Sequence, residues 1–311
     1  MRRAEALDTM PAAHRLGILF GLVAALIWGG YIAATRFATN IGLTAEDIAF
    51  LRYVTAGLMM APWLARHRPL SLAGIGWTKG AGLALLAGPP FVLVGASGFL
   101  FSPLAHSAVI QLGSVALLGV LFAAILNNES LSRRRVIGLL VIVAGLTITA
   151  GPGLFSGGSQ AWKGDMLFAL AGGMWALFTA LQTRWKVAAV AATAVVSVLS
   201  ALVYAPIYLA MSGSGILRFD IWLLVELAFV LGVLSGIIAL FAFARAVELL
   251  GAGRASVFPT LAPGFAIIIG IPLAAEVPTA LQVAGLLVLT VGLLLTLRND
   301  AEHKAPENQA S

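Results

Sequence analysis

The sequence predicts an all-α integral membrane protein with ten transmembrane helices, arranged as two inverted repeats of five helices each. Three observations predict this fold class: the apolar composition, a row of long apolar segments, and a likeness between the two halves. Of the 311 residues, 60% are hydrophobic and 10% are charged, whereas soluble domains carry about 25% charged residues. A lipid bilayer is therefore the expected environment of nearly the whole chain.

Long apolar segments follow one another along the chain with short polar joints. About 20 mostly apolar residues cross the ~30 Å hydrocarbon core of a bilayer, and clusters of charge, Pro, Gly and Asn divide this chain into segments of that length. The predicted spans lie near residues 16–37, 46–65, 77–98, 103–126, 133–150, 163–183, 188–211, 221–246, 252–274 and 279–297.

The spans divide the chain into five consecutive parts. The Gly-rich stretch GPGLFSGGSQA lies almost in the middle of the sequence and separates two membrane halves of similar length. The predicted parts are a cytoplasmic N-terminal tail 1–15, a first repeat 16–150, a linker 151–162, a second repeat 163–297 and a cytoplasmic C-terminal tail 298–311.

Lysine and arginine residues are distributed unequally between the two sides of the predicted bundle. Arg36, Arg52, Lys163 and Arg218 fall on one side, and the other 15 (19 − 4) fall on the side of both termini. Cytoplasmic loops carry such an excess, so we expect cytoplasmic termini in a multi-pass protein of the bacterial inner membrane. The net charge of +6 thus indicates orientation, and no nucleic-acid partner is expected.

The second half of the sequence repeats the first without a gap. One constant shift places Trp28 on Trp175 and Glu129 on Glu276, since 175 − 28 = 276 − 129 = 147. Because each half holds an odd number of spans, the second half enters the membrane from the opposite face. Inverted repeats of this kind are typical of secondary transporters, which bind substrate near the midplane between the repeats.

A known family is visible in the closing part of each half. The stretch from Ala244, ARAVELLGAGRASVFPTLAPGFAIIIGIPLAAEVPTALQVAGLLVLTVGLLL, resembles the closing helices of EamA-type members of the drug/metabolite transporter superfamily. The stretch SAVIQLGSVALLGVLFAAILNNESLSRRRVIGLLVIVAG resembles the same unit in the first half. Within the superfamily, the chain is similar to the ten-helix amino-acid exporters of the YddG type.

The resemblance implies a central cavity lined by helices one, three, four, six, eight and nine. The chain departs from the family pattern at two kinds of position. Ala116 replaces the proline of helix four, although its counterpart Pro263 is present, and Asn128 and Ala275 replace the glycine before the glutamate. These departures bear on the substrate rather than on the fold.

Spans one and six present matching polar and aromatic faces. Trp28 and Trp175 both lie roughly 18 Å into their spans at 1.5 Å per residue, near the midplane, although Trp usually prefers the interface. The two faces either pack in the core or form aromatic walls for a substrate. On the second interpretation they contribute Trp28, Tyr31, Thr35, Trp175, Phe178 and Gln182 to the site.

Two corresponding spans contain residues that interrupt a helix. Gly88, Pro89 and Pro90 lie halfway along span three, and the repeat places Ser235 and Gly236 at the equivalent point of span eight. Proline removes a helical hydrogen bond, and interrupted helices in both halves point to a transport site. A passive kink is the alternative, and on the functional interpretation these five residues are hinges.

Spans four and nine carry polar residues at helical spacing. Buried polar groups in a bilayer need partners, so these stripes face either other helices, as interhelical hydrogen bonds, or a cavity. On the second interpretation spans four and nine contribute His106, Gln111, Ser114, Ser256, Pro259 and Thr260 to the substrate site, which also includes Phe91 of span three.

The charged residues favour neither the coupling of transport to a proton gradient nor catalysis. We expect Arg36 and Arg52 to reach the interface or to pair with Glu46 or Asp47. No acidic residue is expected near the midplane, and His106 has no predicted carboxylate or second His beside it. We therefore expect no metal, no cofactor and no catalytic residue, and flux that needs no proton gradient.

The predicted function is export of small organic metabolites, amino acids first, by alternating access. Exposed amides at helix interruptions can meet a carboxylate, whereas a phosphorylated solute would need buried Lys or Arg. Drugs or nucleotide-type solutes are the alternative cargo, and a membrane-embedded enzyme or a scaffold is the alternative class. The expected partners are a small-molecule substrate and lipid; a monomer is one option, since the sequence leaves the oligomeric state open.

Overall fold

The computed structural model describes residues 12–127, 131–151, 160–211 and 215–297. Over these ranges the regular secondary structure is helical and includes no strand, which confirms the predicted fold class. The ten long helices are α1 Ala12–Asn40, α2 Ala45–Arg66, α3 Trp77–Gly98, α4 Leu104–Leu126, α5 Arg133–Ala150, α6 Ala161–Arg184, α7 Ala189–Met211, α8 Ile221–Leu250, α9 Phe258–Ala274 and α10 Ala280–Leu297.

Seven of these helices are long and apolar enough to cross a membrane by length and composition alone, namely α1 to α4 and α6 to α8. Helices α9 and α10 are apolar but shorter, and α5 begins with the three arginines 133–135. The chain is thus a multi-pass membrane protein with five long helices in each half.

Short polar residues fix several of the helix starts. Thr44 and Asp47 form a capping box at α2, in which each side chain accepts a hydrogen bond from the backbone amide of the other. Asp220 accepts hydrogen bonds from two backbone amides at the start of α8. Such caps satisfy amides that have no helical partner, so the turns between helices are specified locally.

The helices pack in a pattern that the repeat predicts. Helix α1 packs along α9 and α8, and its repeat counterpart α6 packs along α4 and α3. The pairs α2 with α7 and α5 with α10 join equivalent helices of the two halves. The halves therefore pack against each other with approximate two-fold symmetry.

Glycine allows the closest of these approaches. A methyl group on Gly29 of α1 would lie 2.8 Å from the carbonyl oxygen of Ala262, and one on Gly145 of α5 would lie 2.7 Å from the amide nitrogen of Leu289 in α10. Both distances are shorter than van der Waals contact. Small residues take this role in membrane helices because packing, not hydrophobicity, drives helix association in lipid.

Candidate functional site

A small cavity of about 10 Å³, roughly the room that one water molecule needs, lies between α1, α3 and α4. Sites that hold drug-sized ligands enclose about 300–1,000 Å³, so the helices would have to separate to admit such a solute. Four predicted site residues line it: Tyr31, Thr35, Phe91 and Gln111. The other lining residues were not among the predicted site residues: Ile32, Gly95, Ala96, Phe99 and Ser107.

Helix α1 supplies Tyr31 and Thr35 to the cavity. The two residues are four positions apart and so lie on one face of the helix. Thr35 donates its hydroxyl hydrogen to the carbonyl oxygen of Tyr31 at 2.8 Å. The threonine is thus held in place and keeps lone pairs that can accept a hydrogen bond.

Helix α4 supplies Ser107 and Gln111 from a π-helical segment, Ser107–Gln111. A π-helical turn changes the direction of the side chains within a helix and is frequent at functional sites. The serine hydroxyl lies 3.4 Å from Oε1 of Gln111. Gly95 of α3 lies across the cavity from Gln111. A methyl group on Gly95 would come within 4 Å of the Gln111 side-chain amide, so glycine leaves this space open.

Helix α3 is interrupted at Gly88, where the backbone turns to an extended conformation between Trp77–Ala87 and Pro89–Gly98. Two successive prolines leave carbonyl groups without their helical donors. Ala87 O also lacks its helical donor, because the Phe91 amide donates to Gly88 O instead. The Tyr53 hydroxyl of α2 donates to Ala87 O at 2.6 Å. The interruption places Phe91 in the cavity wall, while its role as a hinge stays a prediction.

The corresponding point of α8 is not interrupted in the same way. Ser235 and Gly236 lie within a ten-residue π-helical segment, Phe229–Ile238, that continues the helix. The Ser235 hydroxyl donates to Leu231 O at 2.6 Å. At the predicted interruption the helix therefore changes from α to π geometry without a break. Hinge motion at these two residues stays a prediction.

The two tryptophans lie on different sides of this region. The Trp175 ring is 5.3 Å from the ring of Phe91, a residue of the cavity wall, and 5.3 Å from that of Phe178. The Trp28 ring instead lies 5.4 Å from Phe243 of α8. Trp175 thus forms a second layer behind the cavity wall, and neither tryptophan lines the cavity.

Other predicted site residues do not line the cavity. Ser114 lies in the contact between α4 and α6, opposite Gly172. The Gln182 amide donates to Val187 O at 3.3 Å, at the end of α6. The predicted residues of span nine lie at or just before the start of α9, where the chain packs on α1: Ser256, Pro259 and Thr260.

Arg52 is buried beside the cavity, which corrects the expectation that it reaches the interface or pairs with Glu46 or Asp47. Its guanidinium carbon lies 4.4 Å from the centre of the Tyr31 ring, and Nη1 donates to the Ser235 hydroxyl at 3.2 Å. Asp47 is occupied at the start of α2 and by the Tyr208 hydroxyl. The sequence contained a signal for this position, because an arginine inside an apolar span indicates a functional site by default.

One end of the bundle is closed by polar contacts, and we call it the closed end: it is where α1 ends at Asn40 and α6 begins at Ala161. Arg36 of α1 forms an ion pair with Glu276 after α9, not with Glu46 or Asp47 as expected. Glu276 also accepts a hydrogen bond from the Leu104 amide at 2.7 Å. One carboxylate thereby connects α1, α4 and the end of α9.

A second polar contact at the closed end corrects the view of His106 as an isolated histidine. Nδ1 of His106 lies 2.7 Å from Oδ1 of Asp165 in α6, and both side chains are buried. Ser102 donates to the same carboxylate oxygen at 3.1 Å. Sequence reasoning missed Asp165, although a lone aspartate four residues into an apolar span was a visible signal.

These three residues do not have the arrangement of a hydrolase. In a catalytic triad the serine hydroxyl bonds to the histidine that removes its proton, whereas the Ser102 hydroxyl contacts Asp165 and the carbonyl oxygen of Ala161. Among the described residues, no group of three His, Cys, Asp or Glu side chains is placed to hold a metal ion. The pair instead connects helix α4 of the first half to helix α6 of the second.

Comparison with known proteins gives the family. A model of the EamA-like transporter family matches residues 15–151 and 162–298, once in each half. The chain belongs to the EamA-like transporter family. An EamA-like protein is a membrane transporter of small metabolites, which agrees with the cavity between α1, α3 and α4.

The wider comparisons add the fold. A solved crystal structure of a protein aligns with 90% of this EamA-like chain and 96% of its own, with a TM-score of 0.63 and 19% identity. At that identity the likeness concerns the fold alone. No curated protein matches the sequence.

Proposed function

We propose that this EamA-like transporter exports amino acids by alternating access. The observation that carries the proposal is a cavity wall that combines the rings of Tyr31 and Phe91 with the side-chain amide of Gln111. Aromatic surface suits an apolar side chain, and a few placed polar groups fix the orientation of the polar end. Neutral donors and acceptors next to aromatic rings match a small zwitterion better than a highly charged solute.

Nucleotide-type solutes fit this wall less well. Phosphate groups carry up to about two negative charges each and are bound by several Arg or Lys side chains. None of the nine residues that line the cavity is Lys or Arg, and the buried Arg52 beside it is a single cation. Neutral or singly charged metabolites, with amino acids first, are therefore the preferred cargo.

The transport cycle follows from the symmetry of the halves. The described contacts hold the closed end together, so opening there requires the two halves to separate and the other end to close. We place the closed end outside the cell, because the excess of Lys and Arg lies at the opposite end of the predicted bundle. Gly88, Pro89 and Pro90, with Ser235 and Gly236, are the proposed points of bending.

Flux in proteoliposomes tests the proposal. Purified protein is reconstituted and supplied with gradients of amino acids, nucleotides and cationic drugs, and the solute that appears on the other side is identified. We expect amino acids to move down their gradient unchanged and without an imposed pH gradient. Movement of nucleotides or drugs alone would contradict the cargo, conversion of a solute would indicate an enzyme, and a strict need for a proton gradient would contradict uncoupled transport.

A further inference from the structure

Arg52 is a buried cation for which the described residues provide no counter-ion. It lies seven positions into α2, its exposed fraction is 7%, and no described carboxylate lies within 4.0 Å of its guanidinium nitrogens. A buried unpaired charge is unfavourable by several kcal/mol in general. Arginine within a membrane helix accordingly marks a substrate or ion pathway by default.

The neighbours of Arg52 satisfy only part of its bonding capacity. A guanidinium group has five N–H donors in a planar fork. The hydroxyl of Ser235 accepts one at 3.2 Å, while the rings of Tyr31 and Tyr53 lie 4.4 Å and 5.6 Å from the guanidinium carbon. Tyr31 and Tyr53 contact the guanidinium group through side-chain hydrogen bonds as well as through their rings. One bond to each tyrosine and one to Ser235 leave two of the five N–H donors for an anion.

The position of Arg52 connects it to the proposed cavity. The Tyr31 ring both lines the cavity and lies against the guanidinium group, so it separates Arg52 from the enclosed space. A change in the rotamer of Tyr31 would remove that separation. Ser235 contributes from α8, so the cation is positioned by helices of both halves.

We propose that Arg52 binds the carboxylate of the transported solute, with Tyr31 as the movable side chain between them and Ser235 as a positioning residue. The inference rests on the proposed function, because it names the part of the amino acid that is recognised. A carboxylate matches the fork of a guanidinium with two parallel hydrogen bonds. The carboxylate would also neutralise Arg52, which is the only buried Lys or Arg among the described residues.

The test compares an acid with its amide. L-phenylalanine and L-phenylalanine amide differ in the carboxylate, and each is measured as an inhibitor of amino-acid flux and as a stabiliser of the purified protein against heat. The wild type should prefer the acid by about tenfold or more, the size of one charge-assisted contact. In Arg52→Gln that preference should fall to about one, and Arg52→Lys should lie between the two because lysine keeps the charge but not the fork.

Arg218→Gln is the matched control, because Arg218 is exposed and its guanidinium donates to Gly42 O near the same end of the bundle. That variant should keep the preference of the wild type. An equal preference in Arg52→Gln and the wild type would overturn the proposal. If Arg52→Gln fails to fold, the wild type still decides, because equal binding of acid and amide overturns the proposal without any variant.

Failure of the proposed function has a different result. If the wild type moves no amino acid, 3-phenylpropionate and its amide replace the first pair of ligands in the heat-stability measurement. Preference for this acid, lost in Arg52→Gln, would support the carboxylate site although the cargo assignment had failed. Equal binding of this acid and its amide would overturn both.

Discussion

At the residue scale, the largest difference between expectation and structure concerns the two tryptophans. The repeat places them at equivalent points, yet Trp175 contacts Phe91 in the cavity wall while Trp28 contacts Phe243 of α8. Equivalent sequence positions lie in different surroundings because the cavity is lined by the first half alone. The position of a residue along its span therefore predicts its depth in the membrane, but not which side chains it contacts.

Replacement of Trp175 by alanine should weaken substrate binding. The Phe91 ring would lose the aromatic surface behind it, and a loss of about 1.4 kcal/mol would raise KM about tenfold. KM for amino-acid flux in proteoliposomes is the measurement, and we expect Trp28→Ala to weaken transport as well. The matched control is Trp222→Ala, because Trp222 is 73% exposed. Normal transport by both the Trp175 and the Trp28 variants would show that the two tryptophans serve only packing.

At the element scale, helices α1 and α9 depend on glycine for their close contact. A methyl group on Gly29 would lie 2.6 Å from Cβ of Phe265 and 2.8 Å from the carbonyl oxygen of Ala262. Backbone atoms on α9 cannot move aside as a flexible side chain can. The two helices must therefore shift apart if Gly29 gains a side chain.

Gly29→Ala should destabilise the protein by about 1–3 kcal/mol, the usual cost of overpacking. The measurement is thermal unfolding of the purified protein in detergent, where Tm should fall. Gly264→Ala on the same pair of helices is the control, since nothing lies within 4 Å of a methyl group there. Equal Tm values for the two variants would mean that α1 and α9 do not rely on this contact.

At the scale of the whole molecule, the closed end is held by contacts between the two halves. Arg36 and Glu276 belong to different halves, as do His106 and Asp165. A transporter that alternates between two open states must break such contacts in every cycle. Their loss should therefore favour the state that is open at this end.

Glu276→Gln should open the closed end more often, because the ion pair with Arg36 is lost. The chain has no cysteine, so Ser107→Cys in the cavity wall can be labelled alone by a membrane-impermeant maleimide added outside cells. Labelling should become several-fold faster in the Glu276→Gln background. The matched control is Glu248→Gln, which removes an exposed ion pair with Arg245 and should leave the labelling rate unchanged. An equal rate in all three backgrounds would contradict a gating role for Glu276.

The orientation in the membrane is a separate prediction at the same scale. Cytoplasmic termini place Ser311 inside the cell and Gln160, just before α6, outside. In intact cells an impermeant maleimide should label Gln160→Cys and leave Ser311→Cys unlabelled until the membrane is made permeable. Labelling of Ser311→Cys from outside would reverse the assignment.

The sequence by itself determined the class of fold and the division into two halves. Span length, apolar composition and the constant shift of 147, as from Trp28 to Trp175, are local or periodic properties, and a bilayer makes them decisive because each span must satisfy its own backbone hydrogen bonds. The interruption at Gly88 was predictable for the same reason, since two prolines cannot continue a helix wherever they lie.

Only the tertiary structure decided which polar groups meet. Asp165 lies beside His106, Glu276 beside Arg36, and Arg52 behind Tyr31, although 59, 240 and 21 positions separate the partners along the chain. Partner choice depends on how helices rotate and pack, and many side-chain contacts must be satisfied together before that rotation is set. The candidate cavity and the position of Arg52 beside it therefore depend on how the helices pack. The spacing of residues along a single helix cannot predict them.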